Sequence, residues 1–498
     1  MKKILLYFSI VVFGVSFCSC DDYLDVNENP NAVSEENLTA SLVMPAAEMN
    51  LATSYGNFLR IVGGFLSQHF AHSFGTSNYL DYSQFQVSAS RCSELYSDMY
   101  QRVLNNLKLI QQKAEASEDW GTYLAAATLR TFTLQTLVDC FGEVPYSEML
   151  DVSNTSPKYD DGKDVYEGAI AELDAALAKA SASDVVCTNF LFPSERADSW
   201  IKFANALKLK MYMRMATVMD VKDEVAALIE EDNFPDSDVA FQGCWLNKSG
   251  EMSPYYAEEF SSDWGSTQIN IIANLAIIGT MQTDDYIDPR LDAYFEKNGN
   301  GEYVGGLSGT NFATTNTYKS TYWCRPKASY DMPVYLITVS EIEFFLAEYY
   351  ARYGSADKAA EHYNAAIEAS FATTGVDGAS EYVAQYPYNQ SKYAECIGIA
   401  KWVALAGTND FEAWCEMRRL NYPEFGTVSG DNMYNKQDDS SFKPELYKAG
   451  TLYTPIDYFG EVGENKVLER LPYPLSSTTS NANTPEFPGY TEPVFWGK

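Results

Sequence analysis

The 498-residue chain is poor in histidine, with three, and none of its nine cysteines forms a CxxC pair. Neither a zinc ribbon nor a thioredoxin-like redox pair is encoded. A GxSxG elbow, a P-loop and a dinucleotide fingerprint are also missing, which removes the usual signatures of serine hydrolases, nucleotide hydrolases and NAD-linked enzymes. Cations are scarce: 35 Lys plus Arg stand against 68 Asp plus Glu, a formal charge of -33. So acidic a body repels a phosphate backbone, which disfavours nucleic acid as a partner unless a local basic patch forms. With 30 Gly and 19 Pro the chain is neither collagen-like nor low in complexity. Beyond the N-terminus, no apolar run reaches the roughly 20 residues that span a bilayer.

What is plentiful is aromatic. The chain holds 36 Tyr, 27 Phe and 8 Trp, more ring surface than a core demands, and this points to rings presented for stacking. A hydrophobic fraction of 46% supports a sizeable folded body.

At the N-terminus, Lys2 and Lys3 precede an apolar run from Ile4 to Phe17. It is too short to span a membrane and has the length of a signal-peptide core. It ends at Phe17-Cys18-Ser19-Cys20, where a small residue before a cysteine resembles the bacterial lipobox, with Cys20 as the acylated first residue. Cys18 is a poor alternative because Phe17 stands where a small residue is needed. Removal of residues 1 to 19 makes the mature charge -35. Two or more acyl chains, at about 0.8 kcal/mol per buried methylene, hold a soluble body on a membrane without a spanning helix. Seven cysteines then remain, an odd number, and those inside apolar helical patterns, such as Cys140, read as buried thiols.

Apolar residues recur at helical spacing in Leu95, Met99, Val103, Leu107 and Ile110, in Trp200, Phe203, Leu207, Met211 and Met215, and in Ile342, Leu346 and Tyr349. Further helices are expected near 41 to 72, 122 to 140, 164 to 180, 357 to 371, 394 to 406 and 410 to 419. The fold class is therefore mainly α. Tyr166-x-x-Ala169-Ile170 and Tyr363-x-x-Ala366-Ile367 repeat a pattern in which small alanines permit close helix approach, the look of tetratricopeptide-type pairs, although no 34-residue period runs through the chain. Residues 232 to 335 change character to Asp, Ser, Asn and aromatics, a loop-rich insertion of the kind that carries a binding face. Its glycines from Gly299 to Gly309 read as flexible loop. Five prolines in the last 27 residues exclude a terminal helix and imply an extended tail packed by Tyr473, Phe487, Phe495 and Trp496.

His69 and His72 have HxxH spacing but lack the adjacent acid of a zinc-protease motif, and His362 falls on a helix surface. Glu258-Glu259 and Asp284-Asp285 are carboxylate pairs of the type glycosidases use, but with 68 acids such pairs arise by chance and a solvated acidic face is the plainer reading.

Five stretches in order resemble the SusD/RagB family of nutrient-binding outer-membrane lipoproteins of Bacteroidetes: Asp22 to Asn31; Leu137-Val138-Asp139-Cys140-Phe141-Gly142-Glu143-Val144-Pro145-Tyr146; Pro157-Lys158-Tyr159-Asp160 leading into Val165-Tyr166; Trp200 to Leu209; and Lys401 to Leu405 through Glu412-Ala413-Trp414 to Arg418-Arg419-Leu420-Asn421-Tyr422-Pro423. Pro333 to Glu348 and the tail Pro493-Val494-Phe495-Trp496 extend the likeness over nearly the whole mature chain. Read as residues alone, Arg418 and Arg419 suit a helix C-terminus, with the tail as a partner, and Trp200, Trp402 and Trp414 suit helix packing.

The resemblance implies a signal peptide over 1–19, a lipidated segment over 20–40 and a single SusD-like domain over 41–498. Within that domain a helical scaffold covers 41–231 and 336–425, the insertion 232–335, and the Pro-rich tail 472–498. It further implies a non-catalytic, cell-surface receptor that captures oligosaccharide and passes it to a SusC-like TonB-dependent transporter, with the lipid anchor as its membrane contact and Asp21-Asp22 resembling a surface-export tag. Facing the periplasm is the fallback location. A peptide cargo, as in RagB-like relatives, and a lipid-anchored glycoside hydrolase are the alternatives. The nearest counterparts of the family's binding loops are Asn78, Tyr79, Asp81 and Tyr82 after the first long helix, and Tyr255, Tyr256, Trp264, Tyr318, Tyr322, Trp323 and Arg325 in the insertion. Rings suit the CH-rich faces of sugars, and Asn, Asp and Arg suit their hydroxyls. No cofactor is implied; whether a structural calcium ion orders the acidic loops is left open.

Cys20→Ala is expected to abolish incorporation of radiolabelled palmitate in the expressing cell, and persistent labelling of that variant would remove Cys20 as the anchor.

Overall fold

The computed structural model describes residues 38–73, 76–194, 196–262, 269–309, 320–435 and 441–497. Cys20, Trp264 and Tyr318 lie outside them. Helices in chain order are α1 Ala40–Thr53, α2 Arg60–Leu66, α3 Leu80–Ser83, α4 Cys92–Ser97, α5 Asn105–Ala116, α6 Trp120–Phe141, α7 Gly162–Leu177, α8 Ala197–Met215, α9 Lys222–Glu231 and α10 Pro254–Glu259. They continue with α11 Leu275–Met281, α12 Leu291–Tyr294, α13 Val339–Tyr353, α14 Ala356–Thr374, α15 Ala379–Gln385, α16 Tyr393–Leu405, α17 Asp410–Leu420, α18 Gly430–Met433 and α19 Leu475–Ser480. Six short strands, β1 Phe70–His72, β2 Val239–Phe241, β3 Ile271–Ala273, β4 Phe295–Glu296, β5 Arg325–Pro326 and β6 Val334–Ile337, pair antiparallel as β1 with β3, β2 with β6 and β4 with β5. The protein is mainly helical, and no helix among the described residues is long and apolar enough to cross a membrane.

Local signals explain most boundaries. Asp119 caps α6 by accepting from the Thr122 backbone N–H at 3.1 Å, and Gly142, at φ 85°, ends it. Thr338 and Glu341 form a reciprocal capping box at the start of α13. The alanine pattern seen in sequence marks two helix pairs, α6 with α7 and α13 with α14. In each, the carbonyl of the small residue accepts a hydroxyl from the preceding helix: Thr131 donates to Ala169 O at 3.4 Å, Ser340 to Ala366 O at 2.8 Å. A larger residue at Ala169 or Ala366 would push the paired backbones apart.

Three expectations need correction. The segment 41 to 72 is not one helix: a π-helical turn, Ser54–Leu59, separates α1 from α2, and Gln68, at φ 57°, turns the chain into β1. The tail is not wholly extended, because α19 forms where no proline interrupts Leu475 to Ser480. His362 is half-buried, stacked on Tyr350 and held by Glu343 at 2.7 Å. In the tail, Trp496 and Tyr473 are buried, while Phe487 and Phe495 are half-buried against the main core. All seven cysteines of the described residues are free thiols.

A buried charge cluster joins the helices. Asp139 of α6 accepts from Arg214 of α8, from Tyr166 of α7 at 2.5 Å and from the Trp496 indole at 2.8 Å, and its backbone carbonyl takes Arg418 of α17 at 3.1 Å. Arg214 also pairs with Glu412. Lys210 lies 3.1 Å from Glu412 and 3.2 Å from Glu341 of α13. Arg419 bridges Glu348, at 2.5 Å, and Glu416, at 2.7 Å, and Lys401 of α16 reaches Glu416 at 3.0 Å. The five cations, Lys210, Arg214, Lys401, Arg418 and Arg419, balance five carboxylates, Asp139, Glu341, Glu348, Glu412 and Glu416, all buried. Burial alone would raise the Glu348 carboxyl, but Arg419 and Arg352 hold it below its ordinary value. Burial also pulls Lys401 down to about 8, against the attraction of Glu416. Arg214→Met leaves Asp139 and Glu412 without their shared cation, a loss expected to cost about 3–5 kcal/mol and to lower the urea midpoint of unfolding.

A second buried acid stands apart. Glu48 of α1 accepts the backbone N–H groups of Phe190 at 2.6 Å and Leu191 at 3.3 Å, which ties the loop before α8 to the first helix. Burial pushes its carboxyl up to about 8 although both N–H groups pull the other way. The folded protein therefore keeps a proton that the unfolded chain releases above its ordinary value of 4.5, and this contribution to stability is lost as pH rises through that window. Between pH 5 and pH 8 the melting temperature of the wild type should fall more than that of Glu48→Gln; parallel curves would show that Glu48 is ionised throughout.

Candidate functional face

The face is assembled by short strands. In the β1 to β3 ladder, Phe70 faces Ala273 and His72 faces Ile271, and Ser73 N–H to Asn270 O, at 2.7 Å, carries the pairing one residue further. On the other side of β3, Ala273 N–H donates to Cys324 O at 2.8 Å, and Glu296 of β4 faces Arg325 of β5. Pieces of the insertion distant in sequence are thereby laid beside the segment that follows the first helices.

At one end of this arrangement a polar network meets aromatic rings. Tyr79 precedes α3 with a left-handed backbone, φ 62°. Its ring rests 5.7 Å from that of Phe65 and stacks on Tyr82 at 5.6 Å, while its hydroxyl donates to Glu259 at 2.5 Å. The other oxygen of Glu259 accepts the Asn270 amide at 3.2 Å, and Asn270 in turn accepts from Asn78 at 3.0 Å. Burial raises the Glu259 carboxyl, the bonds from Tyr79 and Asn270 oppose that, and the neighbouring Glu258 adds to it. Asp81 pairs with Arg91 at 3.7 Å, whose guanidinium lies 5.6 Å from the Tyr82 ring. Next to this network, Tyr256 stacks on Phe260 at 5.9 Å, and Arg325, held by Glu296 at 2.9 Å, covers the Phe260 ring at 4.5 Å. On another part of the insertion, Tyr322 lines a cavity of about 470 Å³ with Tyr303, Phe442 and Tyr447.

The structure thus brings Asn78, Tyr79, Asp81, Tyr82, Tyr255, Tyr256 and Arg325 into one neighbourhood, and places Tyr322 and Trp323 in another. Three of these rings are corrected from presenting to supporting positions. Tyr82 is 2% exposed, Tyr255 1% and Trp323 3%. Tyr255 lies between the Phe70 ring, at 6.0 Å, and the Arg60 guanidinium, at 4.6 Å, and Trp323 packs edge-on against Phe442. Rings so enclosed offer no face to a ligand. Asn78 is exposed, and Tyr79, Tyr256, Tyr322 and Arg325 are half-buried. Sequence reasoning missed Asn270, Phe260, Tyr303 and Tyr447, which carry no motif, and it weighed Glu259 only as half of a carboxylate pair.

His69 binds Asp410 at 2.7 Å, burial lowers His72 to about 4, and among the described residues no three His, Cys, Asp or Glu side chains are grouped to hold an ion. The face offers half-buried rings, amides and a carboxylate that accepts hydrogen bonds, an amphipathic surface suited to ligands with both CH-rich faces and hydroxyls.

Residues 30–443 match the profile of a SusD-like family described as starch-binding and associating with the outer membrane. Comparison with curated proteins gives no match. Among solved structures, a SusD homolog from Bacteroides uniformis is 22% identical, with a TM-score of 0.72 over 92% of this chain and 99% of its own. One from Bacteroides thetaiotaomicron is 20% identical, with a TM-score of 0.70 over 93% and 99%. A chitin-binding SusD homolog from Flavobacterium johnsoniae is also 20% identical, with a TM-score of 0.70 over 90% and 98%.

Proposed function

Because the chain belongs to the SusD-like family, a family of binding proteins rather than enzymes, we propose that it is a receptor held at the outer membrane by acylated Cys20, capturing oligosaccharide at the cell surface and passing it to a SusC-like TonB-dependent transporter. The observation that carries the ligand class is the network of Asn78, Asn270, Glu259 and Tyr79 beside the half-buried ring of Tyr256. Hydroxyls of a sugar exchange donors and acceptors with such a network, and a CH-rich sugar face lies against the ring. The net charge of -33 favours a neutral glycan over a polyanionic one. Starch, named for the family, and chitin, named for the Flavobacterium johnsoniae relative, are both neutral and supply the first probes.

Isothermal titration with maltohexaose and with N-acetylchitohexaose tests the reading. Binding of at least one is expected, weakened about tenfold in Asn78→Ala, near the worth of one hydrogen bond, with melting temperature unchanged. Binding of Lys-rich peptides with no response to either glycan, or release of reducing sugar, would overturn it.

A further inference from the structure

A cleft outside the face described above carries the same chemistry. It has a volume of about 530 Å³, within the range of about 300–1,000 Å³ typical of small-molecule sites. One wall is the helical run from α4 into α5, another the loop after α6, and the third α19 of the tail. Tyr96 and Tyr100 stand half-buried in the first wall with ring centroids 4.7 Å apart. Both hydroxyls are tied back into the protein: Tyr96 donates to Tyr159 at 3.1 Å and Tyr100 to Pro145 O at 2.8 Å. The rings are thereby fixed, with that of Tyr96 also meeting Phe141 at 5.7 Å.

The same wall holds solvent-facing polar groups in register. Residues Asp98–Leu104 are π-helical, and this wider turn sets Ser97, Gln101 and Asn105 along one line facing the cleft. Gln101 and Asn105 are exposed, Ser97 is half-buried, and none of the three side chains hydrogen-bonds to a described residue. Each amide offers both a donor and an acceptor. No Lys or Arg lines the cleft, and its one acid, Asp151, accepts from Ser153. At the lip, Val152 is 99% exposed. Lys108 stands behind the cleft, its ammonium engaged by the Leu150 carbonyl at 2.6 Å. Tied rings and uncharged donor and acceptor pairs at regular spacing match a neutral, hydroxyl-rich ligand with apolar faces.

We propose that this cleft is a second saccharide-binding site, separate from the loop-borne face, so that one receptor holds a glycan at two places. The proposal rests on the saccharide reading above and goes beyond it in number and position of sites. Two sites on one chain raise the effective affinity for a polymer over that for a short oligomer.

Isothermal titration with maltohexaose and N-acetylchitohexaose is applied to the wild type, to Gln101→Ala/Asn105→Ala and to Asn78→Ala. These side chains are exposed, so the fold should survive, and unchanged melting temperatures verify it. Two binding events per wild-type chain are expected, with the double variant losing one of them by about tenfold or more and Asn78→Ala weakening the other. A single event that responds to Asn78→Ala and ignores the double variant overturns the second site and leaves the loop-borne face standing. A single event that responds only to the double variant keeps the cleft and removes the face. No binding of either glycan by the wild type overturns both.

Discussion

The fold depends on one carboxylate. Asp139, at the end of α6, is the point where Arg214 from α8, Tyr166 from α7 and the Trp496 indole from the tail converge, while its own carbonyl holds Arg418 of α17. Each of these residues belongs to, or sits on the same helix as, a stretch that carries the family resemblance. Segments that look unrelated along the chain are thus halves of the same ion pairs and hydrogen bonds. Buried ionic clusters of this kind add little net stability against an apolar core of equal volume, because desolvation consumes most of the attraction. Their effect here is on arrangement: the pairs cross between α6, α8, α13, α16 and α17, so a shift of one helix would break contacts on several others.

With the helices so placed, the strands can build the face. α2 packs on α17, and the chain leaving α2 enters β1, which recruits β3 and through it the β4 and β5 pair. The face is therefore referred to a rigid body although its parts come from loops, an arrangement that suits recognition by hydrogen bonds whose geometry must be held. Burial of Glu259 strengthens this. Its carboxylate is fixed by two donors from within the protein, so a ligand bound there would add little ordering cost.

The long helices α6, α7, α8, α13, α14, α16 and α17 were legible from their apolar spacing, whereas the short α10, α11 and α12 fell in a stretch read as loop because each is too brief to show a period. The break at Ser54–Leu59 was not legible either, since the residues there keep helical periodicity while the hydrogen bonding shifts by one. Candidate site residues were legible by type more than by role. Tyr79 and Tyr82 are three apart and both aromatic, yet one ring remains half open and the other is sealed by Arg91, Phe65 and Tyr79 itself. Asn270 could not be singled out, because nothing about an asparagine in an apolar stretch reveals that Asn78 will stand 3.0 Å away.

Order along the chain by itself determined the helical class, the acidic and aromatic balance and the set of motifs that mark the family. All of these follow from local spacing and composition, which a linear chain records directly. Tertiary structure alone decided which aromatic rings face outward, which acids are paired and which amides are left free, because those depend on what another segment, often hundreds of residues away, presses against them. Tyr255 is sealed by Arg60 and Phe70, and Gln101 is left open by the absence of any such neighbour among the described residues.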